Sequence, residues 1–190
     1  MGYWADAIID CEETSPERAR ELAASIIGWL VDARIIEDRQ CDGCMRDGPC
    51  YLPGPAYQTA CKEVPPGFGN SKYESFLEAG LNGMRVVTSP QFLFNSSGAF
   101  PDMRCPRCDA EVDLGVFCDE GAKWTEGGPD TFECPHCKAA SPIPAWSHPS
   151  AGFATLAFEF FNWPEFSSDF LAELSRRLGG HRLNYFGGRQ

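Results

Sequence analysis

Four of the ten cysteines fall in two short pairs, Cys105-Pro106-Arg107-Cys108 and Cys134-Pro135-His136-Cys137, with 25 residues between them. A C-x2-C turn aims two thiolates at one point. Two such turns complete a closed set of four sulfurs, the tetrahedral arrangement that zinc takes at metal–sulfur distances of about 2.3 Å. A metal held this way gives a small segment the stability that its own core cannot supply. Four sulfur ligands leave no position for water, so the predicted zinc is structural rather than catalytic.

The second pair has a redox alternative. Phe132 followed at once by Glu133 and CPHC resembles the active site of thioredoxin-fold oxidoreductases, in which a helix N-terminus lowers the pKa of the first thiol. The downstream residues 138–144 contain Pro142 and Pro144, each of which would remove a helical hydrogen bond and clash with the preceding turn. Zinc is therefore the favoured reading. Between the knuckles, Val112, Leu114 and Val116 alternate with Glu111, Asp113 and Gly115, which predicts a small antiparallel sheet punctuated by Gly121 and Gly127-Gly128. With CPRC and CPHC as its knuckles, the segment 105–137 resembles the zinc-ribbon family. The resemblance covers about a sixth of the chain and implies a structural zinc without implying an activity.

Cys41, Cys44, Cys50 and Cys61 form a second group, spaced C-x2-C-x5-C-x10-C inside a Gly/Pro-rich stretch from Gln40 to Gly69. Either these four hold a second metal, or they are scattered buried thiols, since only one true knuckle is present. Cys11 and Cys118 have no match and read as small apolar residues. The N-terminal residues Met1-Gly2-Tyr3-Trp4-Ala5-Asp6 have neither the basic flank nor the apolar run of an export signal. A cytoplasmic protein with reduced thiols is expected, and no stretch reaches the roughly 20 apolar residues of a membrane helix.

Other chemistry is sparse. The three histidines are His136 in a knuckle, His148 before a proline, and His181 beside Gly180. None belongs to a known nucleophile or metalloprotease motif, and residues 67–72 read as a turn rather than a phosphate loop. The sequence points away from an enzyme and offers no catalytic residue. Sixteen Lys and Arg against 27 Asp and Glu give a net charge of −11, which disfavours phosphate backbones and favours basic partners. From Arg104 to Lys138, four basic residues face eight acidic ones. Arg176, Arg177, Arg182 and Arg189 read as a solvated helix end and tail. The favoured function is a non-enzymatic, zinc-containing interaction module for a basic protein partner, of the immunity, inhibitor or adaptor type. The alternatives are a metal-associated enzyme using unassigned carboxylates and a zinc-ribbon nucleic-acid binder.

The elements that must carry these residues follow from periodicity. Tyr3 to Cys11 alternates as a half-buried strand. Thr14-Ser15-Pro16-Glu17 opens a helix whose apolar stripe is Ala19, Leu22, Ala23, Ile26, Ile27 and Leu30. Ser71 to Ala79 suggests a short helix, while Met84 to Thr88 and Gln91 to Asn95 suggest extended segments. Phe153 to Trp163 reads as one central strand, Ser167 or Ser168 caps a last helix, and His181 to Phe186 closes the chain as a strand. The order predicts an α+β fold, a ferredoxin-like βαβ-βαβ sandwich. Its core domain would comprise residues 1–100 and 150–190, with a zinc ribbon inserted at 101–149.

Overall fold

A computed structural model describes residues 4–41, 49–62, 76–77, 82–95 and 102–189. The proposed helix over 71–79 and the turn at 67–72 fall almost wholly outside the described residues. The first strand, β1 (Trp4–Asp10), leads into α1 (Pro16–Asp32), where Ser15 Oγ accepts from the Arg18 N–H at 3.2 Å and Pro16 takes the first helical position. This start satisfies one orphan donor and uses a residue that has none. Ala19, Leu22, Ala23, Ile26 and Leu30 are buried along one face.

Six strands form the main sheet: β1, β2 (Ile36–Cys41), β3 (Cys50–Pro53), β4 (Gly83–Val87), β12 (Ala157–Phe161) and β13 (Leu183–Arg189). Their order is β13-β1-β12-β4-β3-β2, and every pairing is antiparallel. The helix α3 (Ser168–Arg177), capped by Ser167, carries the chain from β12 across β1 to β13. A four-stranded ferredoxin-like sheet would place the strand after α1 next to β12. Here β4 and β3 lie between them. The Gly/Pro-rich stretch after Gln40 contributes β3 and a 3-10 turn at Tyr57–Ala60.

Alternation along β1 sorts the two faces. Ile8, Phe158, Phe160 and Met84 pack under α1 and α3, whereas Ala7, Ile9, Val87, Ala157 and Phe186 pack on the opposite face. That second face is covered by two strands of another sheet, β5 (Gln91–Phe94) and β11 (Ala151–Ala154), through Leu93 and Ala154. Gly152 belongs to the same surface, where a Cβ would lie 3.0 Å from Ile9 Cδ1. The other side of β5 and β11 presents Phe92 and Phe153 to a separate aromatic core. Two strands therefore serve as a wall between two cores.

The apolar run from Phe153 to Trp163 is consequently not one strand. It breaks at Thr155-Leu156, and its two parts, β11 and β12, belong to different sheets. The five-stranded sheet continues from β11 through β10 (Ser147–His148) and β6 (Met103–Arg104) to β7 (Glu111–Val112). A two-stranded ribbon, β8 (Thr131–Glu133) with β9 (Ala140–Pro142), completes this part. Among the described residues, no helix is long and apolar enough to cross a membrane.

Candidate metal centre

Each C-x2-C pair occupies the tip of a short hairpin, between β6 and β7 for the first and between β8 and β9 for the second. The two tips are built alike. The carbonyl of the first cysteine accepts from the amide four residues on, Asp109 to Cys105 at 3.0 Å and Lys138 to Cys134 at 2.9 Å. Its own amide donates to the carbonyl five residues on, Ala110 and Ala139, both at 3.0 Å. To close this loop, Asp109 and Lys138 adopt left-handed backbone angles, with φ of 58° and 62°. A flexible or short side chain tolerates that region at modest cost, and a β-branched one does not. Lys138→Val is accordingly expected to lower stability by about 1–2 kcal/mol while Lys138→Gly is tolerated, as thermal melts of the two variants would show. Equal melting temperatures would remove the conformational argument.

The tips bring four sulfurs together. Cys105 Sγ lies 3.8 Å from Cys137 Sγ, and Cys108 Sγ lies 3.8 Å from Cys134 Sγ. All four sulfurs are within 4.8 Å of one another. The edge of a tetrahedron is about 1.63 times its centre-to-corner distance, so a zinc at about 2.3 Å from each sulfur sets neighbouring sulfurs about 3.8 Å apart. Cys105 and Cys134 face the protein interior, and Cys108 and Cys137 lie on the solvent side. Burial opposes ionisation of Cys134, but the backbone amides of Cys137 and His136 and the neighbouring thiols outweigh it and bring this thiol down to about 6. Cys108 moves the other way: the backbone at Ala110 lowers it, but burial and the neighbouring thiols outweigh that and push it up to about 12, so the four thiols share protons that a metal would displace. The chain after CPHC runs into β9 rather than a helix, so the helix N-terminus of a thioredoxin-type site is not built there.

Between the hairpins the expected small sheet is replaced by a helix, α2 (Leu114–Thr125). Asp113 caps it, its Oδ1 accepting from the amides of Gly115 at 2.9 Å and Val116 at 3.3 Å. Phe117, Gly121 and Trp124 recur at helical spacing and face inward. Phe117 and Trp124 join Met103, Val112, Phe132, Ile143, Trp146 and Phe153 in the aromatic core beneath the sulfurs. Gly121 is required by its surroundings, because a Cβ there would come closer than 3.0 Å to two ring atoms of Phe153.

The structure separates the members of the other cysteine group. Cys41 and Cys50 are register partners across β2 and β3 and pack with Ala5 and Phe161, on the sheet face away from the helices. Cys61 lies in the core on the helix side, where its thiol donates to the Tyr57 carbonyl. Cys44 is outside the described residues. Among the described residues, only the 105–137 quartet gathers three or more metal-ligating side chains in this way. Cys11 is buried, and burial first pushes its thiol up to about 11, which fits the reading of a small apolar residue. Cys118 is partly exposed, and burial raises its thiol too.

Sequence spacing gave no sign of a tie between the two ends of the chain. Asp10, fully buried, accepts from the amides of Glu12 and Glu13 with one oxygen and contacts His181 Nδ1 at 2.8 Å with the other. The partners are 171 residues apart, so no local motif announces them. Their contact fixes the end of β1 to the start of β13. His148, at the end of β10, is held by its own turn, where Nδ1 accepts from the Ser150 amide at 3.1 Å.

Comparison of the chain with family models, with curated proteins and with solved structures finds no match.

Proposed function

We propose that Cys105, Cys108, Cys134 and Cys137 hold one structural zinc ion, and that the protein is a non-enzymatic interaction module whose acidic surface receives a basic protein partner. The observation that supports the zinc most directly is the 3.8 Å sulfur spacing across the two hairpins, which matches the edge of a zinc tetrathiolate. Such a centre is saturated by the protein, so its role is to lock two hairpins and α2 into one unit. Zinc on thiolates also suits a reducing compartment such as the cytoplasm.

Charge supports the interaction reading. A net −11 speeds encounter with a cationic surface. A cleft of about 810 Å³ beside the first knuckle is lined by Arg104, Arg107, Arg182 and His148, which invites comparison with a nucleic-acid site. Arg104 is already paired with Asp109 and Glu111, and Arg182 donates to the Ala145 carbonyl. A zinc tetrathiolate beside them would carry two further negative charges. That balance favours charge compensation of the metal centre over a phosphate backbone.

Elemental analysis of purified protein is expected to give one zinc per chain, with the four thiols slow to react with a thiol reagent until a chelator is added. Affinity capture at moderate salt is expected to recover a basic protein, and its association should slow markedly as added salt brings the Debye length below about 10 Å. A metal-free protein with these cysteines joined in pairs would replace zinc by redox chemistry. A partner rate untouched by salt would remove the charge argument.

A further inference from the structure

At the end of the main sheet opposite the Asp10–His181 tie, a pocket of about 280 Å³ is lined by Trp4, Asp6, Phe76, Asn162, Trp163, Pro164 and Glu165. Its walls are aromatic, and its polar groups are the Asn162 amide, the Asp6 carboxylate and the Glu165 carboxylate, the last paired with Lys62. Trp163 and Phe76 meet nearly at right angles, with ring centroids 5.4 Å apart and planes inclined by 78°. Trp4 is 45% exposed, an unusual display for so large an apolar ring. Asp6 is only 3% exposed, and its Oδ1 accepts from the Tyr185 hydroxyl at 3.2 Å.

The arrangement is built by the backbone. Trp4 and Asp6 lie two residues apart on β1 and therefore on one face. Gly187 is the register partner of Asp6 on β13. A Cβ at 187 would fall closer than 3.0 Å to Asp6 Oδ1 and 3.2 Å from Trp4 Nε1, so this glycine makes room for both side chains. The loop after β12 holds the indole's backbone from the other side: the Asn162 amide donates to the Trp4 carbonyl at 2.7 Å, and Asn162 Oδ1 accepts from the Trp4 amide at 2.9 Å. Asn162 itself takes a left-handed φ of 57° to do so. Burial first, and the negative charge of Asp6 second, push the Cys61 thiol up to about 12 and raise the Tyr185 hydroxyl as well.

We infer that this pocket binds an ammonium cation, with Trp4 offering exposed aromatic surface, Phe76 and Trp163 lining the floor, and Asp6 the opposing charge, since Glu165 is already paired with Lys62. Aromatic faces attract a cation through their quadrupoles, most strongly when water is excluded. The volume lies just below the range of sites for drug-sized ligands, which suits a head group or one side chain rather than a large molecule. That the cation is the side chain of a basic partner rests on the interaction reading above. Binding of a free cation does not.

Titration of the zinc-loaded, full-length protein with free trimethyllysine, followed through the five indole N–H resonances, tests the site. The expected result is a saturable shift of the Trp4 and Trp163 signals, at least a tenfold weakening in Trp4→Ala, and a several-fold weakening in Asp6→Asn. The uncharged analogue that carries a tert-butyl group in place of trimethylammonium should bind at least tenfold more weakly. Zinc content and melting temperature serve as the check on folding for both variants. No saturable shift, equal binding of the neutral analogue, or unchanged affinity in a folded Trp4→Ala protein would overturn the inference. Loss of salt-dependent capture alone would instead count against the basic-partner reading.

Discussion

Cys134→Ser is expected to leave purified protein without zinc and to dissolve the fixed packing of the aromatic core beneath the metal centre. The reason is the position of Cys134. Its sulfur is 3.8 Å from Cys108 Sγ, and its amide and carbonyl both close the second hairpin tip. A hydroxyl is a poor zinc ligand, and three remaining thiolates around a partly vacated metal hold it far less tightly. Structural zinc in small modules contributes roughly 10 kcal/mol or more of apparent binding free energy at neutral pH, so even a partial loss exceeds what Met103, Phe117, Trp124, Phe132 and Trp146 can sustain alone. The near-ultraviolet circular dichroism contributed by Trp124 and Trp146 should collapse, and elemental analysis should show less than one zinc per chain. The main sheet, whose helix-side core lies on the far face, should persist as far-ultraviolet signal. Retention of one zinc with an unchanged melt would defeat both the ligand assignment and the structural role.

A second large effect is expected at Gly121, and there the sign carries the argument. In an exposed helix interior, Gly→Ala stabilises by about 1 kcal/mol through helix propensity. In α2 the added methyl would collide with the Phe153 ring, so Gly121→Ala should instead destabilise, by about 1–3 kcal/mol for an overpacked core. Phe153→Ala removes a ring whose centroid lies 4.7 Å from Phe92, 5.2 Å from Phe117 and 5.9 Å from Trp124, at a cost of about 3–5 kcal/mol. The double variant should be more stable than Phe153→Ala alone, because the methyl then enters space that the ring vacated. Urea unfolding of the four proteins gives the coupling directly. A higher midpoint for Gly121→Ala in the wild-type background would show that helix and ring do not meet as described.

The cysteine cluster was legible because a C-x2-C pair is local: four residues suffice to place two sulfurs. β1, α1 and α3 were legible for a similar reason, since Ser15-Pro16 and Ser167 act on their own first turns. The helix α2 was misread because Val112, Leu114 and Val116 alternate over only five residues, while the competing helical signal, Phe117, Gly121 and Trp124 behind an Asp113 cap, includes a glycine. Period alone cannot decide so short a window. The break at Thr155-Leu156 was invisible for another reason, as an apolar run shows that a segment is buried and says nothing about which core it enters. The sheet order departed from expectation through β3 and β4, whose places depend on pairings with distant strands. The pocket beside Asp6 needed Trp4, Phe76, Trp163 and Gly187 at once, and no spacing along the chain joins them.

The wall formed by β5 and β11 bears on how this protein can be cut and recombined. A boundary drawn around the cysteine knuckles at 101 and 149 would excise the metal centre as a cassette, but it would leave Phe92 and Phe153 behind, stripped of the aromatic neighbours they pack against. The excised piece would lack the floor of its core, and the remainder would expose two large rings on its surface. A transplantable unit must run from Gln91 to Ala154, and its outer face, with Leu93, Gly152 and Ala154, then demands a host surface as flat and apolar as the one offered by Ala7 and Ile9.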